Sequence, residues 1–162
     1  MDNNNNNNIQ MAEGKLGRVV VLRLKPGTDV LLGLQEACEK AGISNGVILS
    51  AIGSLAHVRF CDPIEIAEKR AKYGYGDPLQ LDGPIELLSA SGIICHDDSG
   101  AVNLHVHVDL ADQDGRAYGG HLVEGTKVLL TTDAVIGEIE GVDMRRKMDP
   151  ELEVPLLSPQ QL

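Results

Sequence analysis

Hydrophobic and polar positions along the chain fall into short apolar runs broken by turn residues, with helical spacing in one place only. In "TDVLLGLQEACEKAG" the apolar residues Val30, Leu31, Leu34, Ala37, Cys38 and Ala41 recur every three or four positions, while Gln35, Glu36, Glu39 and Lys40 take the other side. Thr28 or Asp29 can cap this helix at its start, and Gly42 suits its stop. Ahead of it, "GRVVVLRLKPG" is apolar on both faces through Val19, Val20, Val21 and Leu22, the pattern of a central strand ended by Pro26 and Gly27.

After the helix come "GVILSAIGSLAHVRF", interrupted by Gly53, then "GPIELLSASGIIC", "AVNLHVHVDL", "RAYGGHLVEG" and "KVLLTTDAVIGEIEG". Short Gly- and Asp-containing turns join most of them, so antiparallel hairpins are expected rather than parallel strands with helical crossovers. The predicted class is α+β, a largely antiparallel sheet with one main helix packed on it. Residues 62–83 are polar and turn-rich, although "IEIAEKRAKY" could form a short helix. Residues 1–13, opening on "DNNNNNN", read as a disordered tail, 14–150 as the folded domain, and 151–162, part of a stretch with three prolines, as an irregular or free tail.

Composition narrows the chemistry. A chain of 162 residues can bury one core without disulfides or metal staples, so a metal would serve function rather than folding. With one Phe and no Trp, that core must be aliphatic. Cys38, Cys61 and Cys95 are widely spaced, as buried small hydrophobes in a reducing compartment would be. No apolar run approaches a membrane span, and the protein is read as soluble and cytoplasmic. The formal charge of −10 repels nucleic acid. The two small basic groups, Lys69, Arg70, Lys72 and Arg145, Arg146, Lys147, read as solvated surface.

The concentrated chemistry lies in "NLHVHVDLADQDGRAYGGHLVEG". Strand alternation sends His105 and His107 to one face. If Gln113, Asp114 and Gly115 form a three-residue loop with Gly115 at positive φ, Asp112 faces Arg116 and His121 falls opposite His107; a two-residue loop at Asp114 and Gly115 would turn His121 away. A bulge at Gly119 or Gly120 would also break this register. Three imidazoles on one face would suit Zn²⁺ with a fourth position open. Asp109 is a candidate hydrogen-bonding support for these ligands, or an exposed strand-end acid. His57 and His96 stand apart, and His96, in the "CHDDSG" turn, is read as surface. "YGYGDP" lacks the context of a phosphate loop, and Ser50, Ser54, Ser89 and Ser91 have no sequence-evident base.

The order "GTDVLLGLQEACEKAGISNGVILSAIGSLAHVRF", "GPIELLSASGIIC", "HVHVDLADQDGRAYGGHL" and "EIEGVDMRRKMDPE" resembles the plant- and prokaryote-conserved (PPC) domain over about residues 15–148. The resemblance implies a homotrimer assembled through sheet edges. Prokaryotic members carry a predicted DNA-binding label that matches plant relatives with a separate basic AT-hook, and no Arg-Gly-Arg-Pro hook occurs here. A more distant, fold-level similarity links PPC domains to acetolactate decarboxylase, whose zinc is held by three histidines, two of them in a His-x-His pair. His105, His107 and His121 match that set in type and order. The expected function is a homotrimer of regulatory or ligand-binding role with zinc on these three histidines. The alternatives are a zinc-dependent lyase or hydrolase acting on a small oxo-acid or carbonyl compound, for which Glu138, Glu140 and Arg116 are available, and a DNA-associated regulator.

Overall fold

The computed structural model describes residues 9–162. Its elements are β1 (Lys15–Leu24), α1 (Val30–Ala41), β2 (Gly46–Cys61), β3 (Pro63–Glu65), β4 (Tyr73–Tyr75), β5 (Leu79–His96), β6 (Val102–Asp112), β7 (Ala117–Leu122), β8 (Lys127–Glu140), β9 (Val142–Asp149) and β10 (Val154–Gln161). The main sheet runs β1-β8-β2-β7-β6-β5-β9-β10, and β2 also pairs with β5. Because β7 returns to β2 at Phe60 and Cys61, the strands β2, β5, β6 and β7 close on one another. The class is the expected one, α+β with mostly antiparallel pairing.

The helix forms for the reasons its spacing gives. The Asp29 side chain accepts from the Leu32 N–H, and Gly42 adopts the left-handed conformation at φ 67°. Ile43 N–H then donates to the Cys38 carbonyl, closing the last turn. Its apolar stripe, Val30, Leu34 and Cys38, is fully buried on an aliphatic core that includes Leu55, Val106, Leu110 and Ile136. In β6 the even positions Leu104, Val106, Val108 and Leu110 are the buried ones, which sets the odd positions, His105 and His107 among them, on the face away from the core.

Four expectations need correction. The β1 strand is an edge, paired with β8 alone, and Val21 is 77% exposed; apolarity on both faces reflects an uncovered outer surface, not a central position. Residues 66–72 form turns, with Ile66 N–H bonded to the Lys72 carbonyl, and carry the small β3–β4 hairpin instead of a helix. Gly53 does not interrupt β2 but lies in the strand against the backbone of Thr131 and Thr132. Finally, 151–162 is no free tail, because β10 pairs along its length with β9. Pro155 and Pro159 are tolerated there since β10 is the sheet's last strand, where a missing N–H need not break a ladder.

The expected N-terminal tail, 1–13, lies outside the described residues over 1–8. Beyond them, Ala12 packs against the cluster of Cys95, Val142 and Met144. Glu13 N–H donates to Gln161 Oε1 (3.0 Å), and Gln161 Nε2 donates to the Glu13 and Gly141 carbonyls (3.0 and 2.8 Å). Among the described residues, no helix is long and apolar enough to cross a membrane. All three cysteines are buried and free, and burial pushes the Cys38 thiol up to about 11.

Candidate metal centre

The β6–β7 turn decides the site. Asp112 N–H donates to the Arg116 carbonyl (3.0 Å), Gly115 N–H donates to the Asp112 carbonyl (2.9 Å), and Gly115 has φ 78°. The loop is therefore Gln113, Asp114 and Gly115. The Asp112 carboxylate fixes it further, accepting from the Asp114 and Arg116 amides and from the Tyr118 hydroxyl. Pairing continues without a bulge from Ala111–Ala117 to His107–His121. Gly120 is needed for close approach: a Cβ there would stand 2.7 Å from the Phe60 ring and 2.5 Å from the Asp62 carboxylate.

This register brings His105, His107 and His121 together, with one ring nitrogen from each within 4.8 Å of the others. His105 Nε2 and His107 Nε2 are 3.0 Å apart. In a neutral pair one nitrogen must carry the proton and the other the lone pair. Two imidazole nitrogens on one tetrahedral zinc stand about 3.3 Å apart, from Zn–N bonds of about 2.05 Å. His107 is exposed while His105 and His121 are half-buried. His121 Nδ1 is buried with no hydrogen-bond partner. An orphaned ring nitrogen beside two more imidazoles fits a soft-to-borderline divalent cation, so the cluster could hold a metal.

Burial favours the neutral form of His105 and His121. Burial, then the positive charge that His105, His107 and Arg146 would place nearby, pushes His121 down to about 4. His105 is lowered by burial first, then by His107 and Arg146. Metal coordination requires the neutral imidazole, and His121 is neutral at pH 7 with a wide margin.

Several named residues are elsewhere. Asp109 accepts a 2.5 Å hydrogen bond from Ser89 and is exposed, so it does not support the ligands. Glu138 is held by Arg18 at 2.7 Å, and Arg116 is engaged in the turn by Asp114 and Asp112. His57 sits on β2, paired in register with Asp82 and Lys127. His96 is not a free surface residue: its ring bonds the Asp97 carbonyl and Asp143 (2.9 and 2.6 Å), and Arg145 also binds Asp143.

Two neighbours escaped the sequence reading. Tyr75 of β4 stacks on His121 with ring centroids 4.7 Å apart. Arg146 of β9 donates to Asn103 Oδ1 (2.7 Å) and to the Pro155 carbonyl (2.8 Å). Tyr75 had one available signal, an aromatic pair in "YGYG" within a chain of very few aromatics. With His105 and His121, both line a cavity of about 700 Å³.

The sequence profile of the Plants and Prokaryotes Conserved (PCC) domain matches residues 11–140. The chain belongs to this family. It is the family that the motifs resemble under the name PPC. This PCC domain is 31% identical over 133 residues to the bifunctional protein GlmU of Synechococcus sp. (strain JA-3-3Ab), covering 82% of the chain but only 19% of that relative. Among solved structures, a metal-containing protein from Archaeoglobus fulgidus superposes with a TM-score of 0.77 at 29% identity, covering 92% of this chain and 99% of the other. A plant- and prokaryote-conserved (PPC) protein from Pyrococcus horikoshii gives 0.78 at 27% identity, covering 95% and 100%.

Proposed function

We propose that this PCC domain is a homotrimeric, metal-dependent ligand-binding protein in which His105, His107 and His121 hold a divalent cation, zinc in the first place. The observation that carries the reading is the convergence of the three imidazoles, one of which, His121, keeps a buried Nδ1 without a hydrogen-bond partner. An all-imidazole donor set suits zinc, copper, nickel or iron better than magnesium or calcium, which prefer oxygen. The solved Archaeoglobus relative is called metal-containing, which supports the same direction. When bound, such a metal supplies a Lewis acid with a free coordination position for an oxygen-bearing ligand.

The trimer has its own support. Leu16, Val19, Val21 and Leu49 are each about half-exposed or more. They cluster: Val19 pairs with Gly137, and a Cβ at Gly137 would touch both Leu16 and Leu49. An apolar patch of this kind on a sheet edge is what self-association covers.

Catalysis is the second reading, favoured by the cavity beside the histidines. The candidate acids Glu138 and Glu140 lie on β8, and Glu138 is committed to Arg18. Direct DNA binding is disfavoured by the charge of −10 and by the pairing of Arg145 with Asp143 and Asp98.

Metal analysis of untagged protein, wild type and His107→Ala, tests the central reading. The expected result is about one divalent ion per chain in wild type and a marked loss in the variant. Wild type without stoichiometric metal after exposure to zinc would overturn it.

A further inference from the structure

The cavity beside the histidines has a chemical character at odds with the rest of the chain. On a protein of net charge −10, its lining includes Lys69 and Arg146 together with His105 and His121, and among the described residues no Asp or Glu. Its remaining wall is apolar: Tyr73 and Tyr75 on one side, Leu156 and Leu157 of β10 on another. The chain has four Phe, Tyr or Trp residues in all, and two of them are spent here.

Arg146 is held in place without being neutralised. Two of its five N–H groups go to neutral acceptors, Asn103 Oδ1 and the Pro155 carbonyl. No ion pair joins it to a carboxylate among the described residues, whereas Arg145 next to it binds Asp143 and Asp98. A fixed guanidinium with donors to spare, facing a cavity that holds no acid, is a place for an anion.

We propose that this cavity binds a small organic carboxylate with an apolar body, its head between Arg146 and the three-histidine centre and its body against Tyr75, Leu156 and Leu157. The ligand class follows from the two ends of the cavity. The Arg146 fork at the histidine end matches a carboxylate head, and beyond it the wall is apolar except for Lys69, whose ammonium lies beside Gly74. A volume of about 700 Å³ lies within the range of about 300–1,000 Å³ usual for small-molecule sites. The head-group half of the proposal rests on the metal reading above, while the Arg146 half does not.

The test titrates sodium octanoate into zinc-loaded and metal-free protein by calorimetry, with 1-octanol and octyl phosphate as comparison ligands. Octanoate is expected to bind the zinc-loaded wild type once per chain and about tenfold or more tighter than octanol, the weight of a charge-assisted contact. Arg146→Gln should cut that preference several-fold at unchanged zinc content, leaving only what the metal supplies, Arg146→Lys should keep more of it, and Leu157→Trp should weaken octanoate and octanol alike by filling the wall. If Arg146→Gln does not fold, Arg146→Lys and Leu157→Trp carry the test. Zinc-loaded wild type that ignores octanoate, binds octanol equally well, or prefers octyl phosphate tenfold overturns the proposal and leaves the metal centre standing. If the protein takes up no zinc, the metal reading fails by itself. Octanoate binding to metal-free protein that falls in Arg146→Gln then still supports the anion cavity, and its absence overturns it.

Discussion

Truncating one exposed imidazole should erase a thermal shift that the intact chain shows with zinc. A ligand that binds only the folded state at 100 times its dissociation constant adds about 2.7 kcal/mol. For a domain of 162 residues, each kcal/mol moves the melting temperature by about 2–4 °C, so wild type should gain about 5–11 °C. His107 is exposed, and among the described residues its ring hydrogen-bonds to His105 alone and lies against the rings of His105 and His121. Its replacement by Ala should therefore leave the metal-free melting point within about 2 °C, the span of a surface change of about 0.5 kcal/mol. Loss of a hydrogen-bonding support for a ligand already costs 10–100-fold in metal affinity, so loss of a ligand is set at about 100-fold or more. At the same zinc concentration the stabilisation then falls to about 0.4 kcal/mol, a shift of about 1–2 °C. Differential scanning fluorimetry at fixed protein concentration, with and without zinc, reads both numbers. Equal shifts in wild type and His107→Ala would refute the assignment, because the stabilising metal would then sit elsewhere.

Metal-free protein should lose stability as pH falls from about 6.5 towards 4. His121 has a folded value of about 4, below its ordinary value, so the unfolded chain binds more protons in that window and stability rises with pH through it; the slope should shrink in His121→Leu on urea titration. Gly115→Ala forces an L side chain into φ 78° and should cost about 1–2 kcal/mol with weaker zinc uptake, whereas Gly115→Asn should retain most of both. Leu34→Ala empties the fully buried centre of the helix stripe and should cost about 2–5 kcal/mol in urea unfolding; a cost below 1 kcal/mol would contradict the packing described.

The histidine centre was legible in the sequence because each step that builds it is local. Strand parity fixes His105 against His107, and Gly115 selects the loop that fixes His121. The helix was legible for the same reason, through Asp29, Gly42 and the stripe between them. What escaped depends on contacts distant along the chain. Tyr75 reaches His121 across 46 positions (121 − 75), and no local pattern encodes that stacking. The C-terminal prolines read as a break because propensity averages over strand positions, while β10 occupies the one kind of position where proline is harmless. The same blindness misplaced β1, since an apolar outer face looks identical in sequence whether a neighbouring strand, another subunit or solvent lies beside it.

The exchange between Glu13 and Gln161 has a consequence for how the cavity opens. A last strand ordinarily frays at small free-energy cost. Here the far end of β10 is tied to a residue 148 positions away, and the strand contributes a wall to the cavity. Detaching that wall requires the two ends of the fold to part together. Slow amide exchange along β10 should therefore track exchange at residues 13–14, a correlated pair in place of an independently fraying end.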